Sequence, residues 1–97
     1  MLLDLGQSSF AAKAASAGHA EKGEIIARRW CAACHLVAPD QTKANSDVPS
    51  FAMIAHKVKS SQALKAFLTD PHPKMPDMNL TREEIEDLVA YIGSLRK

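Results

Sequence analysis

Two cysteines and a histidine stand close together in the segment Cys31-Ala32-Ala33-Cys34-His35, which constrains the fold more than any other part of the chain. On one turn of a helix, residues i and i+3 lie on the same face, so both thiols can reach one planar ligand. C-x-x-C-H is the attachment pattern of a c-type haem, in which both sulfurs bond to the porphyrin edge and the imidazole binds the iron. The segment therefore predicts one covalently attached haem c, with Cys31 and Cys34 as anchors and His35 as an iron ligand.

Two other uses of a C-x-x-C pair are less consistent with the sequence. A thioredoxin-like redox pair requires a preceding strand and a parallel sheet, and the sequence indicates neither. A structural zinc site requires four ligands at suitable spacing, but only Cys31, Cys34 and His35 cluster. Because the chain has two cysteines in all, using both for haem leaves none for a disulfide.

The length of the chain, 97 residues, fits one small domain whose apolar core is marginal without a bound cofactor or a covalent link. One Trp, one Tyr and three Phe offer little aromatic material, and a planar macrocycle would supply the missing core volume. A net charge of +1 argues against a nucleic-acid partner. No segment approaches the roughly 18 consecutive apolar residues of a membrane span.

The first twenty residues differ in composition from the rest of the chain, and we assign them to a separate unit, residues 1–20. Ala15-Ser16-Ala17 has the small-x-small pattern that precedes a signal-peptidase site, although Asp4 and Gln7 interrupt the apolar run before it. Residues 1–20 are therefore either the remnant of a secretion signal or a flexible N-terminal extension. The predicted folded domain comprises residues 21–97.

The domain is predicted to begin with a helix that runs from Glu21 to Cys31. Apolar residues recur there at i, i+3, i+4 and i+7, and Gly23 lies among them although glycine weakens a helix interior by roughly 1 kcal/mol. A close helix crossing would explain this glycine. From Leu36 to Pro49 the periodicity disappears, and the turn-forming residues predict an irregular loop whose length indicates that it wraps around something.

Three further helices complete an all-α prediction of four or five short helices. Ser50 is the predicted N-cap of the next helix, and Ser60 or Ser61 is the predicted N-cap of the one after it, which ends before Pro71. Thr81-Arg82-Glu83-Glu84 is a capping box that begins the last helix. The apolar stripe of this last helix consists of Ile85, Leu88, Val89, Ile92 and Leu95.

A stiff loop that presents a methionine is predicted between the last two helices. Three prolines in the six residues 71–76 remove backbone donors and fix the backbone. The loop comprises residues 71–79 and contains both Met75 and Met78. A thioether opposite an imidazole favours ferrous over ferric iron and so raises the reduction potential. If a methionine of this loop bound the iron opposite His35, two strong ligands would leave no open position for a substrate, which would predict electron transfer rather than catalysis.

In combination these features resemble the small class I c-type cytochromes of bacteria, over residues 21–96. That family has an N-terminal helix that ends in C-x-x-C-H, here Ala20 to His35, and a Met-Pro loop, here Lys74-Met75-Pro76. Its last helix begins L-[ST]-x-E-E-[IL], here residues 80–85, and continues to A-Y-[IL], here residues 90–92. The resemblance implies the cytochrome c fold, in which the N- and C-terminal helices cross and four or five short helices surround one haem.

The resemblance also implies roles for individual residues. Gly23 and Tyr91 match the positions at which the terminal helices of the family cross. His35 and Met75 match the axial ligands, with Met78 as the less favoured alternative to Met75. A proline carbonyl of the family accepts the ring N–H of the axial histidine, and both Pro39 and Pro49 have suitable positions.

The remaining predicted haem contacts are apolar residues from several elements, and an ordinary core would explain each of them equally well. They are Trp30, Pro49, Ile54, Phe67, Leu68, Pro76 and Leu80. Lysines at 43, 57, 59, 65 and 74 could ring the haem edge and attract an acidic partner. Scattered solvated charge explains the same lysines better, since the net charge is near zero.

The expected function is that of a monomeric, diffusible one-electron carrier in the periplasm. It would pass electrons from a dehydrogenase or membrane complex to an acceptor, so its partners are redox proteins. One alternative is a haem protein with a labile sixth ligand that acts as a sensor or a peroxidase-like enzyme. Another is an electron-transfer subunit fixed to an enzyme.

Overall fold

The computed structural model describes residues 18–70, 75 and 77–96, and every regular element within them is helical. Helix α1 spans Ala20–Ile26 and continues as a π-helical turn over Ala27–Cys31. Helices α2, α3 and α4 span Phe51–Lys57, Ser61–Thr69 and Arg82–Ser94. The predicted all-α fold class is confirmed. Most of the assigned unit 1–20 lies outside the described residues, so that assignment stays a prediction.

Local side-chain hydrogen bonds begin α2, α3 and α4 at the predicted residues. Ser50 Oγ accepts a backbone N–H three residues further on at 3.1 Å, and Ser60 Oγ does the same at 3.1 Å. Thr81 Oγ1 accepts the Glu84 N–H at 3.1 Å, while the Glu84 carboxylate accepts the Thr81 N–H at 2.8 Å. These bonds satisfy donors that the first turn of a helix otherwise leaves free.

Helices α1 and α4 cross in close contact at Gly23. A Cβ atom added there would lie 2.0 Å from the Asp87 backbone oxygen and 2.8 Å from Tyr91 Cβ. A second close approach occurs just before α1, at Gly18, where φ is +83° and an added Cβ would lie 2.5 Å from the Glu86 backbone oxygen. The crossing of the terminal helices is therefore confirmed, and Gly18 extends it beyond what the sequence indicated.

The core lies along the apolar face of α4. Four residues of the predicted stripe are buried there, and Leu88 is fully enclosed, whereas Leu95 is only partly buried. The Tyr91 hydroxyl donates a hydrogen bond to the Val37 backbone oxygen at 2.5 Å. This buried bond joins α4 to the chain just after His35. The other buried core residues are Ala27, Phe51, Ala55, Leu64, Ile85, Val89 and Ile92.

The π-helical turn is the main departure from the predicted first helix. The Ala32 N–H donates to the Ala27 backbone oxygen five residues earlier at 3.0 Å, whereas an α-helix uses the residue four earlier. Because a π-helical turn contains more residues than an α-helical turn, successive side chains are separated by a smaller angle around the helix axis. Helical periodicity places Trp30, seven residues after Gly23, on the same face as Gly23 and Ala27, but Trp30 is 49% exposed.

A surface ion-pair cluster joins this turn to the loop that follows the cysteines. The Arg28 guanidinium lies 2.9 Å from a Glu24 carboxylate oxygen and 3.1 Å from an Asp40 carboxylate oxygen. The hydrogen bond from Arg28 is the main reason why the pKa of Asp40 lies below its usual value, and the positive charge of Arg28 adds to the effect.

We expect Asp40→Asn to lower the free energy of unfolding slightly at neutral pH, because exposed ion pairs contribute little. Since the pKa of Asp40 is lower in the folded than in the unfolded protein, its contribution is present above the unfolded pKa and is lost as the pH falls through the folded pKa. Urea unfolding of both proteins over a series of decreasing pH values measures this. A difference that persists after the carboxyl is protonated would show that charge is not the cause.

Candidate haem site

An apolar cavity of about 480 Å³ lies between the segment that carries His35 and the helices α2, α3 and α4. This volume falls within the range of roughly 300–1,000 Å³ that is typical of cofactor sites. Seven of the predicted site residues line it, namely Cys31, His35, Pro49, Ile54, Phe67, Leu68 and Met75. The structure therefore brings together residues that are up to 44 positions apart in the sequence, from Cys31 to Met75.

The other predicted site residues lie elsewhere. Cys34 is exposed, and neither it nor Trp30 is among the lining residues of the cavity. Leu80 lines a separate surface concavity between α3 and the start of α4. Trp30 is 49% exposed, and Leu80 is partly buried and packs against the core, so their roles as haem contacts stay predictions. Pro76 lies outside the described residues.

The two cysteines occupy different environments on one tight turn. Both the Cys34 N–H and the His35 N–H donate to the Cys31 backbone oxygen, at 3.1 and 2.9 Å. The Cys31 thiol lines the cavity, and its burial raises its pKa to about 11. Cys34 is exposed on the other side of the turn. The turn therefore presents one thiol from inside the fold and one from its surface.

The His35 ring is held by a main-chain carbonyl. Its Nδ1 lies 2.6 Å from the Pro49 backbone oxygen, and because a carbonyl can only accept, Nδ1 carries the proton. In the neutral imidazole this leaves the lone pair on Nε2, which is the atom that can bind a metal. The structure thus selects Pro49 over Pro39 as the partner of His35. Phe51 supports the ring from the side, with ring centroids 5.5 Å apart.

The loop between Leu36 and Pro49 wraps the backbone of the cysteine segment. The Asn45 N–H donates to the Cys34 backbone oxygen at 3.0 Å, and the Phe51 N–H donates to the Leu36 backbone oxygen at 2.9 Å. The length of the loop indicated that it wraps around something, and these hydrogen bonds place it against the cysteine segment.

Several cavity residues were not identified from the sequence as site residues. They are Val48, Phe51, Val58, Ala63, Leu64, Leu88 and Ile92. Phe51, Leu64, Leu88 and Ile92 are also buried core residues, so the cavity wall and the hydrophobic core share the same side chains. Their helical periodicity indicated burial, but periodicity does not distinguish a residue that faces a cofactor from one that faces another helix.

Comparison with known proteins identifies the family. Residues 18–92 match the family described as cytochrome C oxidase, cbb3-type, subunit III. The chain belongs to the c-type cytochromes. It is also 53% identical over 97 residues to cytochrome c-552 of Bradyrhizobium diazoefficiens, in an alignment that covers 99% of this chain and 90% of that relative. No solved structure matches the chain.

As a c-type cytochrome, the chain carries a covalently attached haem c with its iron, and Cys31 and Cys34 have the spacing that attachment requires. The residues present fit this group, because the cavity is apolar and contains both an imidazole and a thioether. Both comparisons indicate an electron-transfer protein and not an enzyme. Within the part of the chain that the structure describes, no helix is both long enough and apolar enough to cross a bilayer.

Proposed function

We propose that this c-type cytochrome is a monomeric, diffusible one-electron carrier of the periplasm, with His35 and Met75 as its axial ligands. The observation that carries the proposal is that both residues line one apolar cavity while the Pro49 carbonyl holds the proton of His35 on Nδ1. Met78 is partly buried but does not line the cavity, which favours Met75.

Each part of the site has a distinct role in this proposal. The bound haem supplies an iron that alternates between the ferric and ferrous states. His35 binds through Nε2 in an orientation that the Pro49 carbonyl fixes. Met75 provides a soft sulfur ligand that favours the ferrous state. Partly buried apolar side chains such as Ile54 and Leu68 lower the polarity around the iron, which disfavours the more highly charged ferric state.

The carrier role follows from ligation by two protein side chains, because no position is left for a substrate. The partners are therefore redox proteins that exchange electrons with the cytochrome without chemistry at the iron. The 53% identity to a relative named cytochrome c-552 supports the role of an electron carrier. The pattern Ala15-Ser16-Ala17 supports export to the periplasm.

Carbon monoxide added to the reduced native protein tests the sixth ligand. We expect the absorption spectrum to change little, because Met75 occupies the position that carbon monoxide needs. Rapid and complete binding would contradict the carrier proposal and support a labile sixth ligand, as in a sensor or a peroxidase-like enzyme. Measuring binding over a range of carbon monoxide concentrations separates slow ligand displacement from an open site.

A second candidate function is an electron-transfer subunit held by an enzyme, and the description of the matched family as an oxidase subunit favours it. Gel filtration of an extract prepared without denaturant separates the two candidates. The carrier proposal predicts elution at the size of a single small domain. Co-elution of the haem absorbance with a much larger protein would favour the subunit.

A further inference from the structure

We propose that Gln41 is the positioning residue for the histidine ligand of the iron. This inference rests on the proposed function, because it takes His35 to be an axial ligand. Gln41 lies in the irregular loop after His35, is partly buried, and is not among the residues that line the cavity. It acts on the haem site through the backbone that its side chain holds.

Both the oxygen and the nitrogen of the Gln41 side-chain amide form hydrogen bonds with the backbone. Its Nε2 lies 2.9 Å from the Ala32 backbone oxygen, 2.8 Å from the His35 backbone oxygen and 2.9 Å from the Lys43 backbone oxygen. Its Oε1 accepts the Val37 N–H at 3.0 Å. The two hydrogens of the amide are therefore shared among three carbonyls, and one side chain joins four points of the backbone.

Gln41 donates hydrogen bonds to two backbone carbonyls, those of Ala32 and His35, that receive none from a backbone N–H among the described residues. Around the cysteine segment, the carbonyls of Cys31, Cys34 and Leu36 all accept backbone N–H groups. Among the described residues, no backbone N–H donates to the carbonyls of Ala32 or His35. Gln41 supplies a donor to both of these carbonyls. Because unsatisfied carbonyls favour rearrangement or hydration of a turn, Gln41 holds the turn in its observed shape.

Hydrogen bonds therefore hold both the ring and the backbone of His35. The Pro49 carbonyl fixes the ring through Nδ1, and Gln41 fixes the backbone oxygen of the same residue. Without Gln41, the His35 backbone oxygen loses its hydrogen-bond donor, while the His35 ring keeps its hydrogen bond to the Pro49 carbonyl. The ring can then tilt about the Pro49 hydrogen bond, which changes the direction in which Nε2 meets the iron.

Two variants of the holoprotein test this inference. Gln41→Glu preserves the shape and keeps an acceptor for the Val37 N–H, but it removes both amide donors and places a carboxylate against three carbonyls. Gln41→Met approximately preserves the volume without charge or strong hydrogen bonds, so it remains informative if the first variant does not accumulate. Thr81→Ala is the control, because it removes a helix cap and thus destabilises the fold away from the cavity.

The readouts are the paramagnetically shifted ring resonances of His35 in the ferric protein, the reduction potential and the rate of electron self-exchange. We expect both Gln41 variants to move the His35 resonances, shift the potential and lower the self-exchange rate. Thr81→Ala should change only the stability. If the Gln41 variants lose stability like Thr81→Ala but keep all three site properties, Gln41 is merely structural and the inference is overturned.

The wild-type spectrum separates this inference from the proposed function. If the His35 ring showed no paramagnetic shift in the wild-type ferric protein, His35 would not be a ligand and the proposed function would fail first. If the wild-type ring is shifted and both Gln41 variants leave it unchanged, only the role of Gln41 fails.

Discussion

Replacing Gly23 by alanine is expected to lower the free energy of unfolding by about 3 kcal/mol or more, at or above the upper end of typical overpacking costs. The added methyl would lie 2.0 Å from the Asp87 backbone oxygen and 2.8 Å from Tyr91 Cβ. Neither atom belongs to the flexible end of a side chain, so α1 and α4 must separate. Guanidinium unfolding of the haem-bound protein, followed by circular dichroism, measures the loss.

The matched control for this prediction is Gly93→Ala, which makes the same substitution within α4. A Cβ atom added at Gly93 meets no atom within 4 Å. Because alanine favours a helix more than glycine does, this variant should be more stable than the wild type by about 0.5–1 kcal/mol. Similar losses of stability in both variants would contradict the close crossing at Gly23.

Replacing Met75 by alanine should open the sixth coordination position of the iron. We expect the reduction potential to fall by at least roughly 0.1 V, since axial-ligand identity moves haem potentials over about 0.8 V. The reduced variant should also bind carbon monoxide rapidly, because no protein ligand competes for the iron. A potentiometric titration and carbon monoxide difference spectra measure the two effects separately.

Met78→Ala is the control for the methionine ligand. Met78 is three residues further on and partly buried, but it does not line the cavity. We expect this variant to keep the wild-type potential and to resist carbon monoxide. The opposite result, with Met78→Ala affected and Met75→Ala unaffected, would assign the ligand to Met78. If neither substitution had an effect, the sixth ligand would not be a methionine of this loop.

Much of the fold could be predicted because its signals are local. The caps at Ser50 and Thr81 are hydrogen bonds within one turn, so a few neighbouring residues determine them. The stripe on α4 follows from helical periodicity alone. The crossing at Gly23 was different, because the glycine indicated a close helix crossing but only the family resemblance identified Tyr91 as its partner. The structure supplies the physical cause in the contact with Asp87 and Tyr91.

The features that the sequence did not indicate depend on individual hydrogen bonds that residue patterns do not resolve. Gln41 has no periodicity around it, and its role appears only when the loop folds back on Ala32 and His35. The π-helical turn requires a single extra residue in one turn, which a hydrophobic pattern does not resolve. The choice between Pro39 and Pro49 required the position of one carbonyl relative to the His35 ring.

Because His35 is hydrogen-bonded to the Pro49 carbonyl, electron transfer at the iron is not coupled to proton transfer between this histidine and its partner. A backbone carbonyl has no ionisable proton, so it cannot exchange one with the imidazole when the charge on the iron changes. Among the described residues that line the cavity, none is an aspartate, glutamate, lysine or arginine. Apart from Cys31 and His35, which the haem itself would engage, the described wall thus offers no acid or base to compensate a change in redox state, and we expect the carrier to deliver an electron alone.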